Sequence, residues 1–133
     1  MSTPALSKPS RGAAIGFWIF TGILSLHMCF TAFAQLRIPA VAAAFEHLGY
    51  PAYFRIELAW AKFAGVAALL FPMVPARIKE WAYAGFAITF VSALIAHLSS
   101  GDGVWQWIWS VVAGFVLAFS YFFWRRLGMP AQA

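Results

Sequence analysis

Three stretches without a formal charge divide this chain: Gly12 to Leu36, Trp81 to Gly101 and Gly103 to Trp124. Each holds at least twenty residues, and roughly 20 helical residues cross a hydrocarbon core of about 30 Å. A fourth apolar stretch is shorter, with fourteen uncharged residues between Lys62 and Arg77. A spanning helix there has to begin near Pro51 and carry Arg55, Glu57 and Lys62 into the span. Pro51 suits the first turn of a helix, where its missing N–H has no partner to lose. The pattern predicts an all-α integral membrane four-helix bundle, with helices over 13–35, 51–71, 79–98 and 104–124.

The segment "RIPAVAAAFEHLGYP" predicts a short interfacial or re-entrant helix between the first two spans. Pro39 starts it, Gly49 ends it, and Val41, Ala42, Phe45 and Leu48 share one face. "FPMVPAR" and "SSGDG" read as turns. This organisation makes 1–12 a cytoplasmic tail, 13–124 a single transmembrane domain and 125–133 a second cytoplasmic tail. A competing reading takes Ala32 and Ala34 in "FTAFAQ" as a signal-peptide cleavage site. The apolar region from Ala13 to Ala34 exceeds the roughly 7 to 15 residues of a signal core, and three further spans follow, so a retained first helix is preferred.

Composition agrees: 63% of the 133 residues are hydrophobic and 10% are charged, against roughly 25% charged in soluble domains. The basic residues set an orientation. Lys8, Arg11, Arg77, Lys79, Arg125 and Arg126 fall on one side and only Arg37 and Arg55 on the other, which places both termini in the cytoplasm. That distribution and anionic lipid headgroups account for the net charge of +5, with no need for nucleic acid. Trp18, Trp81, Tyr83, Tyr121 and Trp124 at one interface, and Tyr50, Tyr53, Trp105 and Trp107 at the other, read as aromatic belts.

Depth along the helices gathers the polar side chains in the outer half and leaves the inner half dry. Glu57 lies about 9 Å and Lys62 about 16 Å from the outer start of the second span, and His27 about 12 Å from the outer end of the first. His97 ends the third span, with Asp102 and Gln106 nearby. Glu57, Lys62, His27 and His97 are therefore the candidate ligand-binding residues. Five residues turn a helix by about 140°, so Glu57 and Lys62 need partners on other helices. Blander readings stay open: Arg55 snorkels to headgroups, Glu57 reaches the interface, His27 bonds a carbonyl or Ser, and His97 caps a helix end. Glu80 suits the dipole of a first helical turn. The lone Cys29 excludes an intramolecular disulfide or a two-cysteine relay, and the three histidines lack metal-pair spacing. Ala61 with Gly65, Ala64 with Ala68, and Gly114 with Ala118 have the spacing of close helix approach, which suits internal packing and a homodimer equally.

The strings "LGYPAYF", "AKFAGVAALLFP", "RIKEWAYAGFAITFVSALIAH" and "GDG" across residues 48–103 resemble the DoxX-like family of small bacterial membrane proteins. The resemblance rests on Lys62 before Gly65, on His97 ending the third span, and on Gly101 and Asp102 in the turn. It implies a four-helix protein of the bacterial inner membrane. It also implies two kinds of function. In one the chain binds a quinone-like or other amphiphilic ligand in an outer-half polar pocket, its head bonded by Lys62 and His97, as accessory to a membrane redox system, as in relatives linked to thiosulfate:quinone oxidoreduction. In the other it is a non-catalytic partner or assembly chaperone for another membrane protein. It names no reaction and no definite cofactor.

Overall fold

A computed structural model describes residues 11–132, with side chains through Leu127. The tail residues before Arg11, with Ser2 and Lys8, lie outside the described residues. Five helices follow in chain order: α1 (Arg11–Arg37), α2 (Pro39–His47), α3 (Ala52–Leu70), α4 (Ala76–Ser99) and α5 (Val104–Gln132).

The boundaries follow local chemistry. Ile38 precedes a proline and is extended, as the proline ring demands, so α1 breaks there and Pro39 opens α2. Gly49 has φ 88° and Gly101 φ 73°, left-handed values that favour glycine. Each glycine completes a Schellman turn. Tyr50 N–H donates to the Phe45 carbonyl and Gly49 N–H to that of Glu46; Asp102 N–H donates to the His97 carbonyl and Gly101 N–H to that of Leu98. Such a turn brings the residue after the glycine over the last helical turn. Tyr50 accordingly meets Phe45 with ring centroids 5.9 Å apart. Three expected boundaries move: Pro51 is the extended residue before α3, α4 begins at Ala76, before the expected 79, and α5 continues through the segment read as a C-terminal tail.

The four long helices contact one another in a closed ring: α1 touches α3 and α5, and α4 touches the same two. Successive neighbours run antiparallel, since Gly16 meets Phe123, Gly65 meets Phe86 and Gln35 meets Arg55. One end of the ring therefore gathers Arg11, the close of α3 and the start of α4; the other gathers Arg37, α2 and the α4–α5 turn. A Cβ on Gly65 would lie 2.5 Å from Phe86 Cζ, so this glycine sets the α3–α4 approach. Phe17, Leu24, Met28, Leu69, Phe86 and Leu117 fill the centre.

The outside is as apolar as the inside. Leu26 is 75% exposed, and Phe30, Trp60, Ile88 and Phe115 also face outward. Soluble monomers rarely show such extensive apolar patches. Helices α1, α4 and α5 are long and apolar enough to cross a membrane. The 19-residue α3 carries Arg55, Glu57 and Lys62 and does not share that character.

Candidate functional site

Polar side chains form three groups. The first joins α1 to α3. Lys62 is only 8% exposed, and its ammonium donates to Gln35 Oε1 and, at 3.1 Å, to Thr31 Oγ1. Gln35 turns its amide to the Arg55 carbonyl at 2.9 Å, and Arg55 donates to the Gln35 carbonyl. Residues 31 and 35 lie one helical turn apart on α1, so one face offers both acceptors to the lysine. His27, one further turn away, is exposed. Glu57 is exposed and makes no hydrogen bond or ion pair among the described residues. Neutral acceptors on another helix, then, hold Lys62, and Glu57 is not among its partners.

The second group lies at the α2 end. Asp102 accepts from His97 Nδ1 at 2.6 Å and pairs with His47 Nε2 at 2.9 Å, one carboxylate oxygen each. The Schellman turn at Gly101 builds this contact by folding Asp102 back over His97. These bonds, that to His97 foremost, hold the Asp102 carboxyl below the usual carboxylate range. His97 and Lys62 therefore have separate partners. His47 also ties α2 to the α4–α5 turn, a contact the sequence does not announce across 55 residues.

The third group overturns the expectation of a dry inner half. Thr21, Ser120 and Tyr83 form a buried hydroxyl chain across α1, α5 and α4, with Thr21–Ser120 at 2.6 Å and Ser120–Tyr83 at 2.7 Å. Tyr83 and Trp124 are buried in the core, so they are not part of an aromatic belt. Beyond them, Glu80 accepts from Tyr121 at 3.1 Å and from Arg125 at 3.2 Å. Its role is an inter-helix bond, in addition to a favourable place in the helix dipole. Lys79, read as a loop cation, is buried because α4 starts earlier than expected. Its ammonium donates to the carbonyls of Ala68 and Leu69, which the end of α3 leaves unpaired, and to that of Phe71, which also accepts from Val74 N–H.

Two cavities meet these groups. A cavity of about 170 Å³ lies between α3 and α4, with Lys62, Gly65, Trp81 and Phe86 in its wall. A groove of about 680 Å³ runs between α4 and α5. Ala84 and Ala87 form one wall and Gly114 and Ala118 the other, with Glu80, Tyr83 and Tyr121 at one end and Leu94 and Ser110 towards the other. A Cβ on Gly114 would meet nothing within 4 Å. The small residues of α5 thus leave space, whereas Gly65 permits contact. Glu80 to Leu94 spans about 21 Å of helix, enough for an extended hydrocarbon chain. Among the described residues no group of three or more His, Cys, Asp or Glu side chains is placed to hold a metal ion.

An all-helical chain with three such spans and an apolar exterior is a multi-pass membrane protein. It belongs to the DoxX-like family, whose model matches residues 19–120. No curated protein and no solved structure matches it significantly.

Proposed function

We propose that the protein binds a quinone-like or other amphiphilic ligand in the α4–α5 groove, as accessory to a membrane redox system. The observation that carries this reading is the groove itself: apolar along about 21 Å, open on the outward face of the ring, and polar at the Glu80–Tyr121 end. An amphiphile lying there places its chain against Ala87, Val91 and Phe115 and its head beside Tyr83 and Tyr121.

Of Lys62, His97, Glu57 and His27, only Lys62 lines a second, smaller site. Lys62 borders the cavity of about 170 Å³, which suits a few heavy atoms, and His97 is engaged by Asp102. In this reading α3 also crosses the membrane, because its 19 residues span about 28 Å and its deepest charge has internal acceptors. Both termini face the cytoplasm of a bacterial cell, as the basic residues at the Arg11 end favour.

The test is mass spectrometry of small molecules extracted from gently purified wild-type protein and Gly114→Leu, whose side chain grows into the groove. A long-chain amphiphile recovered with wild type and lost from the variant is expected; equal recovery from both would remove the groove as the site.

A second reading, a homodimer or docking partner for another membrane protein, is favoured by Gly22 and Gly85. Neither would bring a Cβ within 4 Å of another protein atom, so another helix can approach there. Stoichiometric recovery of a larger membrane protein would support it, and a monomer alone in native-membrane crosslinking would count against it.

A further inference from the structure

The polar end of the α4–α5 groove offers acceptors and no free donor. Tyr83 bonds Ser120 at 2.7 Å and also bonds Thr21, and Thr21 bonds Ser120 at 2.6 Å. The three hydroxyls close on one another, each giving one hydrogen and taking one, so Tyr83 has none left to aim into the groove. Tyr121 gives its hydrogen to Glu80, 3.1 Å from Oε2 and 3.3 Å from Oε1. What remains on this end of the wall is the Glu80 carboxylate, which only accepts, and the lone pairs of the Tyr121 oxygen. The carboxylate has about four lone-pair sites, and the two side chains that bond it, Tyr121 and Arg125, leave room for another donor. Ser110, the remaining polar residue of the wall, lies about 16 Å from Tyr121 along α5.

We infer that the groove selects an amphiphile whose head donates hydrogen bonds, a neutral hydroxyl on a hydrocarbon chain, with Glu80 as the specificity-determining acceptor. This rests on the reading of the groove as a ligand site and adds the chemistry of the head; within the quinone-like class it selects the reduced, hydroxyl-bearing form. A carbonyl head would set its lone pairs against those of Glu80 and Tyr121 and give up water for no bond in return. Charge opposes an ammonium head. Arg125 already sits 3.2 Å from Glu80 Oε1, and Arg11, Arg77, Lys79 and Arg126 share that end of the ring, where Glu80 is the one acidic side chain among the described residues. Depth agrees with a hydroxyl. The 24 residues of α4 span about 36 Å, slightly more than the hydrocarbon core of about 30 Å. Glu80, about 6 Å from the start of α4, therefore stands near the edge of the core, where a hydroxyl keeps water on its outer side.

The experiment measures, under nitrogen, the partition of decylhydroquinone, decylbenzoquinone and decylbenzene between detergent micelles and purified wild-type, Glu80→Gln and Gly114→Leu proteins. Wild type should bind the hydroquinone about 10- to 100-fold more tightly than either other probe, the contribution of a hydrogen bond to a charged group. Glu80→Gln, which keeps the shape and adds an amide donor, should lose most of that preference and leave decylbenzene unchanged. Gly114→Leu should weaken all three probes. Equal wild-type affinity for hydroquinone and benzoquinone, with Gly114→Leu still weakening both, would overturn the acceptor role without requiring the Glu80 variant to fold. A preference that folded Glu80→Gln keeps in full would overturn it too. Full retention of all three probes by Gly114→Leu would overturn the groove itself. Dodecanol separates two sources of the hydroxyl: tighter binding of decylhydroquinone assigns the head to an aryl diol and tighter binding of dodecanol to an aliphatic alcohol, and either supports a hydroxyl head where Glu80→Gln weakens it.

Discussion

Gln35 on α1 is the hydrogen-bonding hub for Lys62 on α3: the carboxamide oxygen accepts from the ammonium while the amide nitrogen donates to the Arg55 carbonyl. Gln35 is only 2% exposed, so neither group has water as an alternative. Removing the acceptor is costlier than removing the charge, because a buried ammonium is then left with Thr31 alone. Gln35→Leu should destabilise the detergent-solubilised protein by roughly 2 to 4 kcal/mol. Lys62→Met, which keeps the apolar stem and removes the charge but leaves Gln35 Oε1 without a donor, should cost less, roughly 1 to 2 kcal/mol, and Glu57→Leu should stay within about 0.5 kcal/mol. Chemical denaturation of the three variants checks the order, and a Glu57→Leu loss equal to that of Gln35→Leu would refute it.

Lys79 caps a helix other than its own. With its ammonium on three carbonyls at the end of α3, Lys79→Met leaves those of Ala68 and Leu69 short of donors, while Phe71 keeps Val74 N–H. A loss of roughly 1 to 3 kcal/mol is expected, with faster hydrogen exchange confined to the last turn of α3 and the turn to α4. Unchanged exchange there would show that the cap contributes nothing.

These two lysines show how much the sequence revealed. Helix ends were legible at Pro39, Gly49 and Gly101, which act through their own backbone geometry, whereas the start of α4 after Pro75 was placed three residues late. Lys62 was legible as a buried cation because its depth follows from counting residues. Its acceptors were not, since Gln35 and Thr31 carry no charge and sit on another helix. Which side chains face each other depends on the rotation of each helix, set here by contacts such as Gly65 on Phe86 and Gly16 on Phe123. The hydroxyl chain was missed for a related reason: Thr21 and Ser120 are small and neutral, and Tyr83 looks like a belt residue until its burial is known. The groove did leave a trace. Ala84 and Ala87 on one helix and Gly114 and Ala118 on the next are small residues at helical spacing, a pattern that fits open space as well as close contact.

Asp102 couples the α2 end to pH. Its carboxyl titrates below the usual range in the fold, so its bonds to His97 and His47 contribute stability that is present above the ordinary aspartate value of about 3.9 and is lost as pH falls through the lowered one. Wild type should therefore melt above Asp102→Asn at pH 7, and the gap should close in acid below that window. The measurement is the difference in detergent melting temperature between the two proteins across the acid range. A gap that is constant with pH would show that the carboxylate charge is immaterial.

Orientation is tested at the α4–α5 turn. Arg11, Arg77, Arg125 and Arg126 gather at one end of the ring, against Arg37 and Arg55 at the other. The positive-inside rule then places the Ser100 turn outside and both termini inside. Single cysteines at Ser2, Ser100 and Gln132, in a Cys29→Ser background, report this through a membrane-impermeant maleimide applied to intact cells. Labelling at Ser100 alone is expected, with all three sites labelled after the cells are opened. The result also bears on the ligand. With this orientation the Glu80–Tyr121 end of the groove opens towards the cytoplasm, and the Asp102 cluster meets external pH. Labelling at Ser2 and Gln132 but not at Ser100 would reverse both assignments.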